Sequence, residues 1–394
     1  MSLHVIGIGA NGLESLAPSA RAALDAAEII VGGARHHALT AVVEAERISW
    51  PSPFDALVSR LEELAARRVA VLATGDPLWF SVGEKLAEAF PSAVFHPQLS
   101  AFQLAAARMC WPMDAVETLS IHGRPAEVIL PFLRPGGRLL LLTGGSDCPG
   151  HVAELLVNRG FGRSMLTVLS DLGADEHRIA CAAENWKDPV PSFHTLAVDL
   201  VAGAGAQVLP PSFGLPDEAF DSDGTMTKRE VRALTLAALA PAPGALLWDV
   251  GTGAGSVAIE WMRAARGARA IGIEPRAERR ALAAANATAL GVPGLEIVAG
   301  DAPAALESLP APDAIFFGGG LSAPAFARAW NALKPHGRLV ANAVTLETEA
   351  TLAALHGEHG GALTRISIQR AEPVGRLTGW KPAMPVTQLT LVKP

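Results

Sequence analysis

At 394 residues the chain is too long for one ordinary core, and its length predicts two to three domains. Half of the residues are hydrophobic and 18% are charged, which excludes extensive disorder. With 39 acidic residues against 32 basic, 5% aromatics and no tyrosine, the chain is not built to coat nucleic acid or stack bases.

The first predicted strand, Leu3–Ile8, runs into Gly7-Ile8-Gly9-Ala10-Asn11-Gly12. On that string alone the turn reads as a dinucleotide-binding G-x-G-x-x-G. No basic segment and no signal-length apolar run is found there, so a cytoplasmic protein is expected. Strands follow at Glu28–Val31 and Val69–Ala73, the latter entering Ala73-Thr74-Gly75-Asp76-Pro77-Leu78. A Gly-Asp-Pro turn at a strand's C-terminal end offers backbone polar groups and one carboxylate to a crevice ligand; an ordinary β-turn is the alternative. Further strands are predicted at Arg138–Leu142, Leu166–Ser170 and Leu196–Leu200, alternating with helix-length Ala/Leu/Glu/Arg stretches.

Proline and glycine become dense over residues 202–224, the best linker candidate. The pattern restarts with a helix from about Thr227, where Thr-Lys-Arg-Glu fits a capping box. Strands are predicted at Ala245–Val250, Ala270–Ile273, Leu295–Ala299, Ala314–Phe317 and Arg338–Ala341. Two last runs, Arg365–Gln369 and Val386–Val392, suit an antiparallel hairpin closing a parallel sheet. No run approaches the length of a membrane span. Cys110, Cys148 and Cys181 are too scattered for a disulfide framework or a zinc site, so no metal is expected.

The second half carries its own loop, Asp249-Val250-Gly251-Thr252-Gly253-Ala254-Gly255. Glu274 ends the next strand, where a carboxylate can accept both ribose hydroxyls of a nucleoside, and Asp301 ends a later one, within reach of an adenine amino group. Loop, ribose acid and adenine acid form one constellation. A nicotinamide cofactor would use the loop and Glu274 but leave Asp249 and Asp301 without a role.

This order resembles the class I S-adenosylmethionine (SAM)-dependent methyltransferases. The first half, with IGIGANG, VGGARHH at 31–37, ATGDPLWFSVG at 73–83, SAFQLAAARM at 100–109 and LSIHGR at 119–124, resembles the class III tetrapyrrole methyltransferases. The second, with FGLPDEAFDSDGTMTKREVRA, WDVGTGAGSVAIEW, GDAPAAL and VTLETEATL, resembles the corrin-pathway C15-methyltransferase and decarboxylase. Both in one chain resemble the bifunctional precorrin C5,15-methyltransferase (decarboxylating) family of cobalamin biosynthesis. The implied fold is α/β: a class III tetrapyrrole methylase domain over 1–205, in two α/β subdomains split near Trp111, fused to a Rossmann-like class I domain over 206–394.

The resemblance implies two SAM sites per chain. Gly9, Gly75, Asp76, Leu78, Ser100 and Ala101 match the first. Thr227, Gly251, Thr252, Gly253, Ala254, Gly255, Glu274, Asp301 and Ala302 match the second. The implied substrate is an anionic modified tetrapyrrole, the partner is neither nucleic acid nor membrane, and the assembly is a homo-oligomer. The macrocycle supplies its own nucleophilic carbons and electron sink, so no catalytic triad is required.

His122, Arg124, Arg376 and Lys381 are candidate substrate contacts, each also readable as a solvated side chain. Arg35 and Arg108 join the candidate carboxylate clamps, since guanidinium forks suit carboxylates. Adjacent His36 and His37 point in different directions and make a poor metal pair, and Trp79 either lines the first cleft or packs. The rival readings are an NAD-dependent oxidoreductase with a methylase-like appendage and a non-catalytic tetrapyrrole carrier.

Overall fold

Strands buried on both faces must be apolar nearly throughout, and the first half supplies them. In a computed structural model describing residues 2–64, 66–187 and 189–394, every residue of β2 (Ile29–Gly32) and five consecutive residues of β4 (Arg68–Thr74) are buried. With β1 (Ser2–Ile8), β3 (Glu46–Ser49) and β5 (Val94–His96) they form a parallel sheet of order β3-β2-β4-β1-β5. A second sheet has the order β6-β7-β10-β8-β9, with β6 (Glu117–Ser120), β7 (Arg138–Leu142), β8 (Met165–Ser170), β9 (His177–Ala182) and β10 (His194–Asp199). Only its β6–β7 pair is parallel.

Contacts divide the chain into two compact units: residues 1–126 with 134–207, and residues 127–133 with 208–394. In the first unit, the helix Ala101–Met109 packs its Phe102, Ala105 and Ala106 against Leu140, Leu169 and Ala197 of the second sheet. The chain therefore crosses between sheets before this helix, ahead of the Trp111 position expected from sequence.

The second unit is built on one seven-stranded sheet of order β13-β12-β11-β14-β15-β19-β16. Its strands are β11 (Leu246–Val250), β12 (Arg269–Ile273), β13 (Glu296–Val298), β14 (Ala314–Phe317), β15 (Arg338–Ala343), β16 (Ala362–Ile366) and β19 (Val386–Val392). β11 shows why both faces are covered: Leu247 enters one core, while Leu246, Trp248 and Val250 enter the other. The first five strands in that order are parallel, and β19 runs antiparallel to both β15 and β16.

The two late runs do pair, but not as a direct hairpin. Between them β17 (Gln369–Val374) and β18 (Leu377–Pro382) form a separate two-stranded ribbon. The linker expected over 202–224 does contain the division between the units, at 207/208, but its later part is packed into the second unit. Leu215 and Phe220 lie in the second unit's core, and buried Glu260 accepts the N–H groups of Gly214 and Leu215. Glu260 in turn binds Arg232 at 2.6 Å, both side chains being fully buried. Arg232 further donates to Asp217 and to the carbonyls of Leu215 and Thr227.

Candidate functional site

Ligands of α/β sheets gather where strand C-termini leave backbone groups unpaired. Each unit has a large cleft there. In the first unit a cleft of about 570 Å³ is lined by the ends of β1 and β4 and by residues that follow strands of the second sheet.

Gly7 lies under this cleft for a packing reason. A Cβ on it would sit 2.3 Å from the Gly75 carbonyl oxygen, so its glycine is demanded by the approach of two chain segments, with no dinucleotide needed. The next turn is tied internally: Gly9 N–H donates to Ser15 Oγ (3.0 Å), which donates to the Gly12 carbonyl (2.6 Å). Asp76 accepts the Leu78 N–H at 2.8 Å, and Ser100 caps the helix 101–109 reciprocally with Gln103. Gly9, Gly75, Asp76, Ser100 and Ala101 all line the cleft; Leu78 is half exposed and does not.

His122 and Arg124 line it from beyond β6, and Trp79 does so while also packing on Phe102. Arg35 lies along the wall with its guanidinium 3.7 Å from the Phe193 ring centre. Arg108 lies elsewhere, held by Glu176. His36 accepts the Gly33 N–H at Nδ1 (3.1 Å), and its Nε2 is 2.9 Å from Thr74 Oγ1. Burial, with the charges of His37 and Arg35 added, pushes its pKa down to about 4, so this wall carries a neutral imidazole. His37 has both ring nitrogens buried without a partner among the described residues, and no metal-binding group of three or more ligand side chains occurs among those residues.

The second unit's cleft, of about 790 Å³, sits over the end of β11. Buried Asp249 accepts from Thr252 Oγ1 (2.7 Å) and from Ala258 N–H (3.1 Å), which folds the glycine loop back onto the following helix. Its other carboxylate oxygen is buried with no partner among the described residues, and burial pushes the carboxyl up to about 6. Glu274 reaches across from β12 to accept the N–H groups of Gly253 and Arg276, each at 3.1 Å. Thr227, Gly251, Thr252, Gly253, Ala254, Asp301 and Ala302 line the same cleft, and Gly255 does not. An orphaned acidic oxygen beside the loop and a buried carboxylate at the next strand end suit a ligand carrying an ammonium group and vicinal hydroxyls.

The capping box expected at Thr227 is absent. Lys228 is the N-cap, with no side-chain cap bond, and Glu230 is drawn away to Arg370. Arg376 and Lys381 are off the cleft lining, and Lys381 is bound to Glu372 at 2.8 Å. Lys228, Arg276, Arg370 and Asn342 line the cleft and had no place in the sequence reading. Only the Gly318–Gly320 run, directly after β14, could have signalled its cleft position from sequence.

The sequence model of tetrapyrrole (corrin/porphyrin) methylases matches residues 2–184, and that of the precorrin methyltransferase domain matches residues 218–393. Over 400 residues the chain is 48% identical to a precorrin-6Y C(5,15)-methyltransferase [decarboxylating] of Sinorhizobium sp, covering 99% of this chain and 96% of the relative. A protein of the same description from Mycobacterium tuberculosis (strain CDC 1551 / Oshkosh) is 40% identical, with 99% of each covered. Among solved structures, the C-terminal domain of precorrin-6Y C5,15-methyltransferase from Rhodobacter capsulatus is 50% identical, with a TM-score of 0.45 over 47% of this chain and 100% of that one. No helix among the described residues is long and apolar enough to cross a membrane.

Proposed function

Because the chain belongs to the precorrin-6Y C5,15-methyltransferase (decarboxylating) family, we propose that it methylates precorrin-6B at C5 and C15 and removes the ring C acetate carboxyl, giving precorrin-8X. The observation that carries this reading is the pair of clefts, one in each unit and each with its own glycine turn, under two different methyltransferase matches. SAM is the proposed donor at both, two sites per chain.

SAM supplies an electrophilic methyl group to each site. In the first unit, Gly9, Gly75, Asp76, Ser100 and Ala101 would hold it; in the second, Thr227, residues 251–254, Glu274, Asp301 and Ala302 would. The protein's task is alignment: the macrocycle's meso carbons are enamine-like, so a strong base is not needed. In the decarboxylation the bond to the carboxyl carbon breaks, its electron pair enters the conjugated macrocycle, and CO2 leaves. A proton taken up from solvent then ends on the former acetate methylene, which becomes a methyl group. The chain's part in that step is to orient the acetate.

Calorimetry on the full chain tests the reading. Two SAM equivalents per chain are expected, and a stoichiometry near one on active protein would sink it. Glu274→Ala should weaken one of the two sites by about 1.5–3 kcal/mol, the cost of losing charge-assisted hydrogen bonds. The other site should be untouched. A two-site isotherm identical to wild type would remove Glu274 from the cofactor assignment.

A further inference from the structure

Sheet order divides the second cleft into two ends. Glu274 and Asp301 follow β12 and β13 on one side of β11, whereas Asn342, Val344 and Val386 belong to the β15–β19 side. On the latter side the lining is largely apolar, with Val344, Ile368, Met384 and Val386. Among the described lining residues from Phe316 onward, Arg370 is the one charged side chain.

Its geometry leaves it able to take a second anion. Glu230 engages the side-on edge of the guanidinium, through Nη2 and through Nε at 3.4 Å. Asp217 lies 3.8 Å from Nη2, so two carboxylates flank that side of the group, and among the described residues its hydrogen bonds run through Nε and Nη2, not Nη1. Arg370 and Glu230 are 42% and 40% exposed, and an ion pair so wet contributes little stability. A pair of that kind is better understood as an aiming device than as a clamp on the fold.

We propose that Arg370 is the substrate-contacting residue of the second unit, receiving a rim carboxylate of the macrocycle end-on, with Glu230 as its positioning residue. This rests on the functional reading above. The carboxylate it takes is one retained through the reaction. A guanidinium bonded to the departing carboxylate would stabilise the ionised ground state more than the neutral CO2 that leaves, and would slow the step. The apolar wall of Val344, Ile368, Met384 and Val386 is the better surroundings for the group to be lost.

The test uses the full chain, with SAM and precorrin-6B, scoring methyl addition and CO2 release separately. Arg370→Gln should raise KM for the macrocycle at C15 at least tenfold, with kcat within about threefold and the SAM stoichiometry unchanged. Glu230→Gln should raise KM less, two- to fivefold, because the guanidinium remains. In both variants CO2 and C15 methyl should fall together. Were the ion pair merely structural, both substitutions would break the same bond and have equal effects, which overturns the proposal. A changed ratio of CO2 to methyl overturns the choice of a retained carboxylate. An unchanged KM in Arg370→Gln, with wild type active, overturns the assignment alone. A wild-type chain that neither binds nor methylates the macrocycle overturns the functional reading beneath it.

Discussion

Glu260→Ala is expected to cost the second unit about 3–5 kcal/mol, because it strips the nearer of two carboxylate partners, leaving Asp217, from a guanidinium that has no access to water. Both side chains of the Arg232–Glu260 pair are fully buried. The carboxylate also accepts two backbone N–H groups, of Gly214 and Leu215, and the guanidinium donates to two carbonyls, of Leu215 and Thr227. The pair therefore fastens residues 214–227 to the helices Arg229–Leu239 and Ser256–Ala264. A double substitution with Arg232→Met should recover only part of the loss. Removing both charges relieves the under-compensated cation but leaves the four backbone groups without partners, each costing about 1–3 kcal/mol. Native-state hydrogen exchange in those two helices measures the effect without interference from the first unit. A loss below about 1 kcal/mol would show that the backbone there is held by other means.

Gly253→Val should abolish C15 methylation and CO2 release, by two orders of magnitude or more (about 2.7 kcal/mol), while one methyl is still added at C5. Gly253 has a φ of +55°, and a Cβ built on it meets no atom closer than 3.9 Å. The space in front of it is the cleft itself, so valine would project where the proposed cofactor lies. The left-handed backbone adds about 1–2 kcal/mol of strain for a residue with a side chain. Mass analysis of the product reads the outcome. If both methyls still appear, or if the first unit alone releases CO2, the activities have been assigned to the wrong halves.

Much of the fold was legible because both halves rest on central strands buried on both faces, whose apolar runs stand out whether their neighbours are parallel or antiparallel. Arg138–Leu142 and Ala314–Phe317 were placed to the residue for that reason. The strands that escaped notice lie at edges or are half solvated. Glu46–Ser49 reads ERIS and His177–Ala182 reads HRIACA, and neither needs a continuous apolar face. The ribbon of β17 and β18 contains two prolines and a glycine, which argue against strand in any local reading. At the sites, glycines and strand-end acids were visible because their chemistry depends on short spacings. Arg370 was not, because its position depends on register. It lies directly opposite Lys381 in the ribbon, yet Lys381 is drawn to Glu372 while Arg370 turns to Glu230. Sequence distance cannot separate two cations that differ only in which carboxylate captures them. The buried Arg232–Glu260 pair was equally hidden, since its members lie 28 residues apart and look like ordinary helix-surface charges.

The placement of β19 between β15 and β16 has a consequence for how the protein is made. A ribosome delivers β16 first, then the ribbon, and only afterwards the strand that must slide between β15 and β16. Until residue 392 has emerged, β15 presents an open edge, β16 has nowhere to dock, and Val386 cannot complete the cleft wall. Between the making of β15 and that of β19 the nascent second unit has an exposed strand edge, the state in which chains pair with the wrong neighbour. Chaperone dependence during expression should therefore concentrate in the interval between the emergence of β15 and that of β19. Delaying the emergence of β19 would prolong the vulnerable interval, and hastening it would shorten the interval.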